Sequence, residues 1–344
     1  MDARSNDPLT RKHSMQRITT LALAILIPML AAFTHQNGEP LASLKGDVKL
    51  DGSSTVYPIT EAVAEEFCKV ATKVRVTVGV SGTGGGFKRF CKGETDITNA
   101  SRPITRSELE AATSRTVEFI ELPIAYDGLC VVIHPKNTWA GTMTMDQLKQ
   151  IYSATGTAKT WKDVDPSWPD RPIKVYSPGT DSGTFDFFRD VTVGKDGKIR
   201  ADISVSEDDN VLVHGISQDQ DAIGYFGFAY YQENRDKLKS VAIDSGKGAV
   251  LPSDSTILDG TYSPMSRPLF LYVNRANAAH PHIAAFVDFF LQNATTLSKE
   301  VGYTPLPESI GGTVMANWKA RRTGTQFLNA AGEKVSGTLA AVYR

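Results

Sequence analysis

Apolar and polar positions follow two alternating rhythms along the chain. Short runs with a period near two are followed by longer stretches whose apolar residues recur three and four apart, the pattern of strands covered by helices. Val48-Lys49-Leu50 predicts a strand, and residues 58–70 predict a helix opening on Pro58 with Ile59, Ala62, Val63, Ala64 and Phe67 on its inner face. Residues 73–78 alternate and predict the next strand. A glycine-rich bend over 81–86 then leads into a short helix carrying Phe87, Phe90 and Cys91. Residues 118–134 form a long extended stretch, broken at Asp127-Gly128, that exceeds the usual length of one strand. Such a segment suits passage from one domain to another.

A second α/β unit follows, with helices over 145–152, 182–190 and near 210–218, a strand over 173–176 and an apolar turn at Ile223-Gly224-Tyr225. Residues 246–265 are rich in Pro, Gly and Ser, after which 267–274 predict a buried strand and 284–291 a helix bearing Phe286, Phe289 and Phe290. The expected fold class is α/β with two lobes and two hinge crossovers, near 122–132 and 265–274. Lobe I then comprises 45–126 with 268–311, lobe II is 127–267, and 312–344 form a C-terminal extension. No short internal repeat is present.

The chain has 344 residues, 22% of them charged, which is globular composition and enough length for two cores. Lys and Arg number 37 against 38 Asp and Glu. A formal charge of -1 supplies no overall field to gather nucleic acid, so a bound anion must be held by local groups. Residues 18–33 are an apolar run behind Arg11, Lys12 and Arg17, which reads as a secretory leader occupying 1–36 and directs the rest to the periplasm. The three cysteines permit at most one internal disulfide. Two readings stand: a Cys68–Cys91 pair with Cys130 inside a strand, or three small buried hydrophobes.

Three segments share one design, a strand end followed by small hydroxyl or glycine residues and a helix start. They run over 51–58, 80–88 and 177–185. The first turn of a helix carries unpaired N–H groups and the positive end of the helix dipole, so it seats an oxyanion. Hydroxyls add donors that rotate, and glycine admits close backbone approach. Any one of these segments read alone is an ordinary N-cap or turn; their co-occurrence is the informative feature. Phe87 separates Gly86 from Lys88, so the second segment is not a nucleotide-binding loop.

The motifs GSSTVYP at 52–58, VSGTGGGFKRF at 80–90, GETDITNASRPI at 93–104 and DSGT at 181–184 resemble, in order and spacing, the PstS-type phosphate-binding proteins of ABC transporters. The likeness runs from about residue 48 to 306. It implies a type II periplasmic-binding-protein fold closing on phosphate, a membrane permease with a cytoplasmic ATPase as partner, a monomer, no cofactor, no metal and no catalysis. By the same resemblance Ser53, Ser54 and Thr55 are first-lobe donors, and Ser81, Gly82, Thr83 and Gly84 form the glycine-rich donor turn, with either Ser81 or Thr83 as its key hydroxyl. Ser182, Gly183 and Thr184 form the second-lobe turn.

Two positions depart from the family pattern. Arg102 stands where well-studied members carry an Asp that accepts a ligand proton, and the 176–180 segment lacks the usual arginine. The expectation is that Arg102 supplies the missing charge from the first lobe and that Asp181 braces it or accepts the ligand's proton. A surface ion pair for Arg102 and a helix cap for Asp181 are the plainer readings. A broader oxyanion binder, a secreted phosphatase and an adhesion protein on the same fold are the alternatives. Against an enzyme, Ser81 is not in a G-x-S-x-G elbow and no HExxH occurs. His280 and His282 flank Pro281 without a third ligand, and Trp139, Trp161 and Trp168 read as packing residues.

Overall fold

The computed structural model describes residues 40–180 and 182–344. The leader reading and Asp181 therefore lie outside the described residues. The first lobe is built by β1 (Lys45–Gly52), α1 (Tyr57–Val70), β2 (Lys73–Val78), α2 (Gly82–Phe90), β3 (Ile97–Ala100) and α3 (Arg106–Ser114). β4 (Phe119–Ile133) leaves it, with all fifteen residues buried. The second lobe contains β5 (Thr142–Thr144), α4 (Met145–Tyr152), α5 (Trp161–Val164), β6 (Lys174–Pro178), α6 (Gly183–Thr192), β7 (Ser204–Ser206) and α7 (Asp209–Gln218). It continues with β8 (Ala222–Gly227), α8 (Phe228–Glu233), β9 (Lys239–Ser240), β10 (Ala242–Asp244), β11 (Ala249–Val250) and α9 (Asp254–Leu258). β12 (Ser266–Asn274) returns to the first lobe, followed by α10 (Pro281–Glu300), β13 (Thr304–Pro305), α11 (Glu308–Lys319) and α12 (Leu339–Val342).

The strand order β2-β1-β3-β12-β4-β8-β6-β7 shows how the crossovers work. β1 pairs in parallel with β2 and β3, and β6 in parallel with β8 and β7, as expected of helix-covered strands. Between these halves β12 runs antiparallel to β4 for its whole length, from Ser266 opposite Gly128 to Asn274 opposite Phe119. Before Asp127 β4 pairs with β12 and β13, and beyond Gly128 with β8 and β9. The two-lobe α/β architecture with paired crossovers is thus as the pattern implied.

Local chemistry accounts for the helix boundaries. Thr105 and Glu108 form a reciprocal capping box on α3, and Thr144 and Gln147 another on α4. α1 begins around Pro58 and buries Ile59, Val63 and Phe67. Phe67 meets Phe286 and Phe289 of α10 edge-on at 5.3 and 5.5 Å.

Several expectations need correction. β4 is not broken at Asp127-Gly128, because paired strands on both sides keep it extended. Ile223-Gly224-Tyr225 is the middle of β8 rather than a turn; its partners are Ile133, Val132 and Val131. From Gly82 onward the expected bend is already α2, in which Gly86 lets the helix lie directly on β1. α10 is longer at both ends than its three phenylalanines suggested. Cys68, Cys91 and Cys130 are all free thiols, Cys68 half-buried and the others buried. Among the described residues no helix is long and apolar enough to cross a membrane.

The C-terminal segment packs on the first lobe. Trp318 Nε1 donates to Asp288 Oδ1 at 2.6 Å, and Gly324 forms a bridge to Ile120. Glu121 of β4, fully buried, accepts from Tyr272 Oη at 2.8 Å, Thr325 Oγ1 at 2.7 Å and the Gln326 N–H at 3.1 Å. Burial pushes its carboxyl up to about 7, against these donors, which favour the ionised form. A carboxyl whose value rises on folding binds a proton as the chain folds. Its stabilising effect is complete below about pH 4.5 and is lost as the pH rises to about 7. Glu121→Gln should remove that part of the slope, worth roughly 3 kcal/mol between the two limits. Urea denaturation of both proteins from pH 4.5 to 8 checks it; parallel curves would contradict the assignment.

Candidate functional site

The turn between β1 and α1 is pinned by the Ser53 N–H, which donates to the Asn99 carbonyl at 3.0 Å, while the Val56 and Tyr57 N–H groups close on the Ser53 carbonyl at 3.2 and 3.1 Å. No side chain caps α1, and Ser81 does not cap α2. Their first-turn donors are therefore not neutralised by a side-chain oxygen. Both turns open on one cavity of about 470 Å³, lined on the first-lobe side by Ser53, Ser54, Thr55, Gly82, Thr83, Gly84, Ser101 and Arg102. Thr83 Oγ1 lies 3.1 Å from Ser101 Oγ and accepts the Ser101 N–H at 3.2 Å, which fixes both hydroxyls on the wall.

The opposite wall is α6, through Asp186, Phe187, Arg189, Asp190 and Val191, with Lys195 just beyond its end. Arg189 is gripped by Asp186 at 2.8 Å and Asp190 at 2.9 Å. The α6 start lies close to the Ser-Ser-Thr turn. A Cβ at Gly183 would fall 2.8 Å from Thr55 Oγ1 and 2.9 Å from the Thr55 backbone nitrogen, so only glycine permits this approach. Ser182 Oγ accepts the Thr184 N–H at 3.1 Å and so acts as the α6 cap.

Arg267, the second residue of β12, joins the two walls. Its guanidinium donates to Asp127 Oδ2 from Nε at 3.2 Å and to Thr55 Oγ1 from Nη2 at 2.8 Å. It also lies over the Phe187 ring with its central carbon 3.6 Å from the centroid. Tyr303 Oη donates to the Thr55 carbonyl at 2.6 Å, completing the support of that turn. Burial lowers the Arg267 value, and Asp127 opposes that effect. Burial likewise raises Asp127, which Arg267 pulls back down. The side chains are 18% and 4% exposed, so this is a buried ion pair at the hinge, with Arg267 also lining the cavity.

The structure brings Ser53, Ser54, Thr55, Gly82, Thr83, Gly84 and Arg102 onto one wall. Ser81 is exposed and is not among the lining residues; its N–H donates to Asp51. Ser182, Gly183 and Thr184 sit beside the cavity rather than lining it. Arg102 is not presented as an open fork: Nη1 and Nη2 donate to Glu108 at 2.8 and 2.7 Å, and Nη1 also to the Pro103 carbonyl at 3.1 Å. Among the described residues its brace is Glu108; Asp181 lies outside them. The Glu108 hydrogen bonds raise Arg102. Burial alone would raise Glu108, but Arg102 and the Thr105 N–H bring it below the usual carboxylate value.

Arg267, Ser101 and the α6 residues were not foreseen. The available signal for Arg267 was a lone arginine opening an otherwise apolar strand at a crossover. A larger groove of about 770 Å³ lies in the second lobe along Trp139, Trp168 and Tyr231. It holds one cation, Lys239, against four around the interlobe cavity, and so is the poorer anion site. Among the described residues no group of three or more His, Cys, Asp or Glu is arranged to hold a metal ion.

Residues 37–294 match the family model described as a PBP superfamily domain. Protein SphX of Synechococcus elongatus is 47% identical over 311 residues, covering 88% of this chain and 91% of that protein. The phosphate-binding protein PstS of Staphylococcus saprophyticus is 42% identical over 267 residues, covering 77% of this chain and 82% of its own. The crystal structure of a possible phosphate binding protein from Planctomyces limnophilus aligns with a TM-score of 0.79 at 43% identity, over 81% of this chain and all of that one. A double-walled site between two crossover-linked lobes, on a sequence this close to those relatives, has one family reading. The chain belongs to the PstS-type substrate-binding proteins of the PBP superfamily.

Proposed function

We propose that this chain binds inorganic phosphate between its lobes, outside the cytoplasm and without turnover, and delivers it as a monomer to a membrane permease driven by an ATPase. The observation that carries this reading is the convergence of two uncapped helix N-termini and the buried Arg267 on one cavity. The name of the relative called phosphate-binding protein PstS supports the ligand. In this reading the lobes divide at 126/127 and 267/268, where Asp127 and Arg267 meet.

Ser54, Thr55, Thr83 and the N–H groups of the glycine-rich turn hold the oxyanion from the first lobe. Arg267, paired on one side with Asp127, supplies the positive group next to it. Ser182, Gly183 and Thr184 complete the donor set as the second lobe closes. A partly dehydrated anion needs donors on every side, so it favours the closed arrangement by its higher affinity for it. Arg102, with its fork engaged by Glu108, contributes mainly as a nearby charge. Asp186 and Asp190 put carboxylates on the wall, where they favour an oxyanion that still carries a proton over sulfate.

Calorimetry of the leaderless protein with phosphate, arsenate and sulfate tests the reading. Phosphate should bind one to one, arsenate should compete, and sulfate should do so poorly; no binding of phosphate would overturn it. Incubation with a chromogenic phosphate ester should release no product.

Arg267→Lys keeps the charge beside Asp127 but loses the planar fork. It should weaken phosphate binding at least about tenfold, since a hydrogen bond to a charged group contributes roughly 1.5–3 kcal/mol. Arg102→Ala should cost less than Arg267→Lys; the reverse order would return the main charge to Arg102.

Gly183→Ala should hold the second-lobe turn away from Thr55. Overpacking of this kind costs roughly 1–3 kcal/mol, and here lobe opening relieves it. The expected result is tenfold or greater loss of phosphate affinity and a larger radius of gyration with phosphate present, while the urea midpoint changes little. Wild-type scattering and affinity would contradict the close packing.

A further inference from the structure

We infer that Asp51, which does not line the cavity, is a positioning residue that sets the spacing between the two first-lobe donor turns. The inference rests on the phosphate reading above for its ligand. Asp51 is 1% exposed at the end of β1. One carboxylate oxygen, Oδ1, accepts both the Gly52 N–H at 2.8 Å and the Ser81 N–H at 3.0 Å. The first of these N–H groups opens the Ser-Ser-Thr turn and the second opens α2. The other oxygen, Oδ2, accepts Arg89 Nη1 at 2.6 Å, and Arg89 lies in the last turn of α2.

Both ends of α2 are therefore tied to one buried carboxylate. Midway between them a Cβ at Gly86 would fall 2.5 Å from Gly52 Cα, so the helix rests on β1 without a side chain between them. The Asp51 carbonyl accepts Thr98 Oγ1 at 2.9 Å, which fixes the strand end itself. Any slide of α2 along its axis would carry Gly82, Thr83 and Gly84 along the cavity wall relative to Thr55.

The group must be a carboxylate. Three donors converge on it, and only an acceptor-only side chain satisfies them all; an amide would turn an NH₂ toward Arg89 or toward the backbone donors. A carboxylate this close to an anion site also needs neutralising, and Arg89 does so. Arg89 is the one partner whose removal leaves the backbone hydrogen bonds of Asp51 in place.

The test compares Asp51→Asn and Arg89→Met with the wild type by stopped-flow phosphate binding and by ¹⁵N NMR of the ligand-free proteins. Asp51→Asn should raise Kd at least tenfold through faster dissociation, with association little changed, because preformed donors act on residence time. The amide resonances of Gly82, Thr83 and Gly84 should shift while those of the second lobe stay. Arg89→Met should raise Kd at least threefold, more at low salt than at high salt. Wild-type affinity in Asp51→Asn overturns the inference. If that variant does not fold, wild-type affinity in Arg89→Met overturns it. Should the wild type itself not bind phosphate, the ligand reading fails, and the glycine-turn resonances alone then decide whether Asp51 positions the turn.

Discussion

A guanidinium taken out of water must find partners for its charge and its N–H groups, and Arg267 finds them in parts of the chain far apart in sequence. Asp127 comes from the outgoing crossover, Thr55 from the first-lobe turn and Phe187 from the second-lobe helix. That requirement dictates much of the site. It holds Thr55 with its side-chain oxygen engaged, draws α6 against the first lobe and places the charge where β4 and β12 pass between lobes. The same contact explains why position 183 must be glycine: Thr55, already fixed by Arg267 and Tyr303, has no room to retreat.

The architecture was legible where the signal is local. Alternating residues marked β1 and β2 though not β3, and two of the three hydroxyl-rich strand ends before helices marked the turns that meet at the cavity. The errors came where tertiary pairing decides. Asp127-Gly128 reads locally as a break, yet hydrogen bonds from β12 and β8 keep the backbone extended through it. Ile223-Gly224-Tyr225 reads as a turn, yet it is a strand because β4 and β6 flank it. Arg102 looked like the ligand's counter-charge because its partner, Glu108, is itself the third residue of a capping box, so that one carboxylate serves both a helix start and an arginine fork. Arg267 carried only the weak signal of a lone arginine opening an apolar strand, since its partners, Asp127, Thr55 and Phe187, lie far away in sequence.

A net charge of -1 does not weaken the anion reading, because long-range charge and local potential are separate matters. Around the cavity Arg102, Arg189, Lys195 and Arg267 face Asp186 and Asp190. Arg189 is held between the two acids and Arg102 by Glu108, so much of the formal charge is neutralised in place. Arg267 is likewise paired with Asp127, so the balance of attraction falls on the part of Arg267 that lines the cavity and on oriented N–H and O–H dipoles. Such dipoles do not reorganise when the ligand arrives, which is an advantage over flexible surface lysines.

The C-terminal segment shows how a polar stretch can belong to a core. Residues 312–344 read from the sequence as a polar, Gly-containing terminal extension, although Phe327, Leu339 and Tyr343 among them are buried. The segment's polarity is nonetheless directed inward: Thr325 and Gln326 donate to the buried Glu121, and Tyr343 Oη donates to its carbonyl at 2.8 Å. Thr325 in turn accepts the Phe327 N–H at 3.1 Å, which leaves its own hydrogen for the carboxylate. Tyr272 likewise accepts the Ile104 N–H at 2.9 Å and points its hydrogen at Glu121. Glu121 without residues 325 and 326 would be a buried acid with a single donor, a costly arrangement in a crossover strand. The segment is thus what makes an acidic residue tolerable at that point of β4, and it is as much part of the first lobe as the sheet it covers.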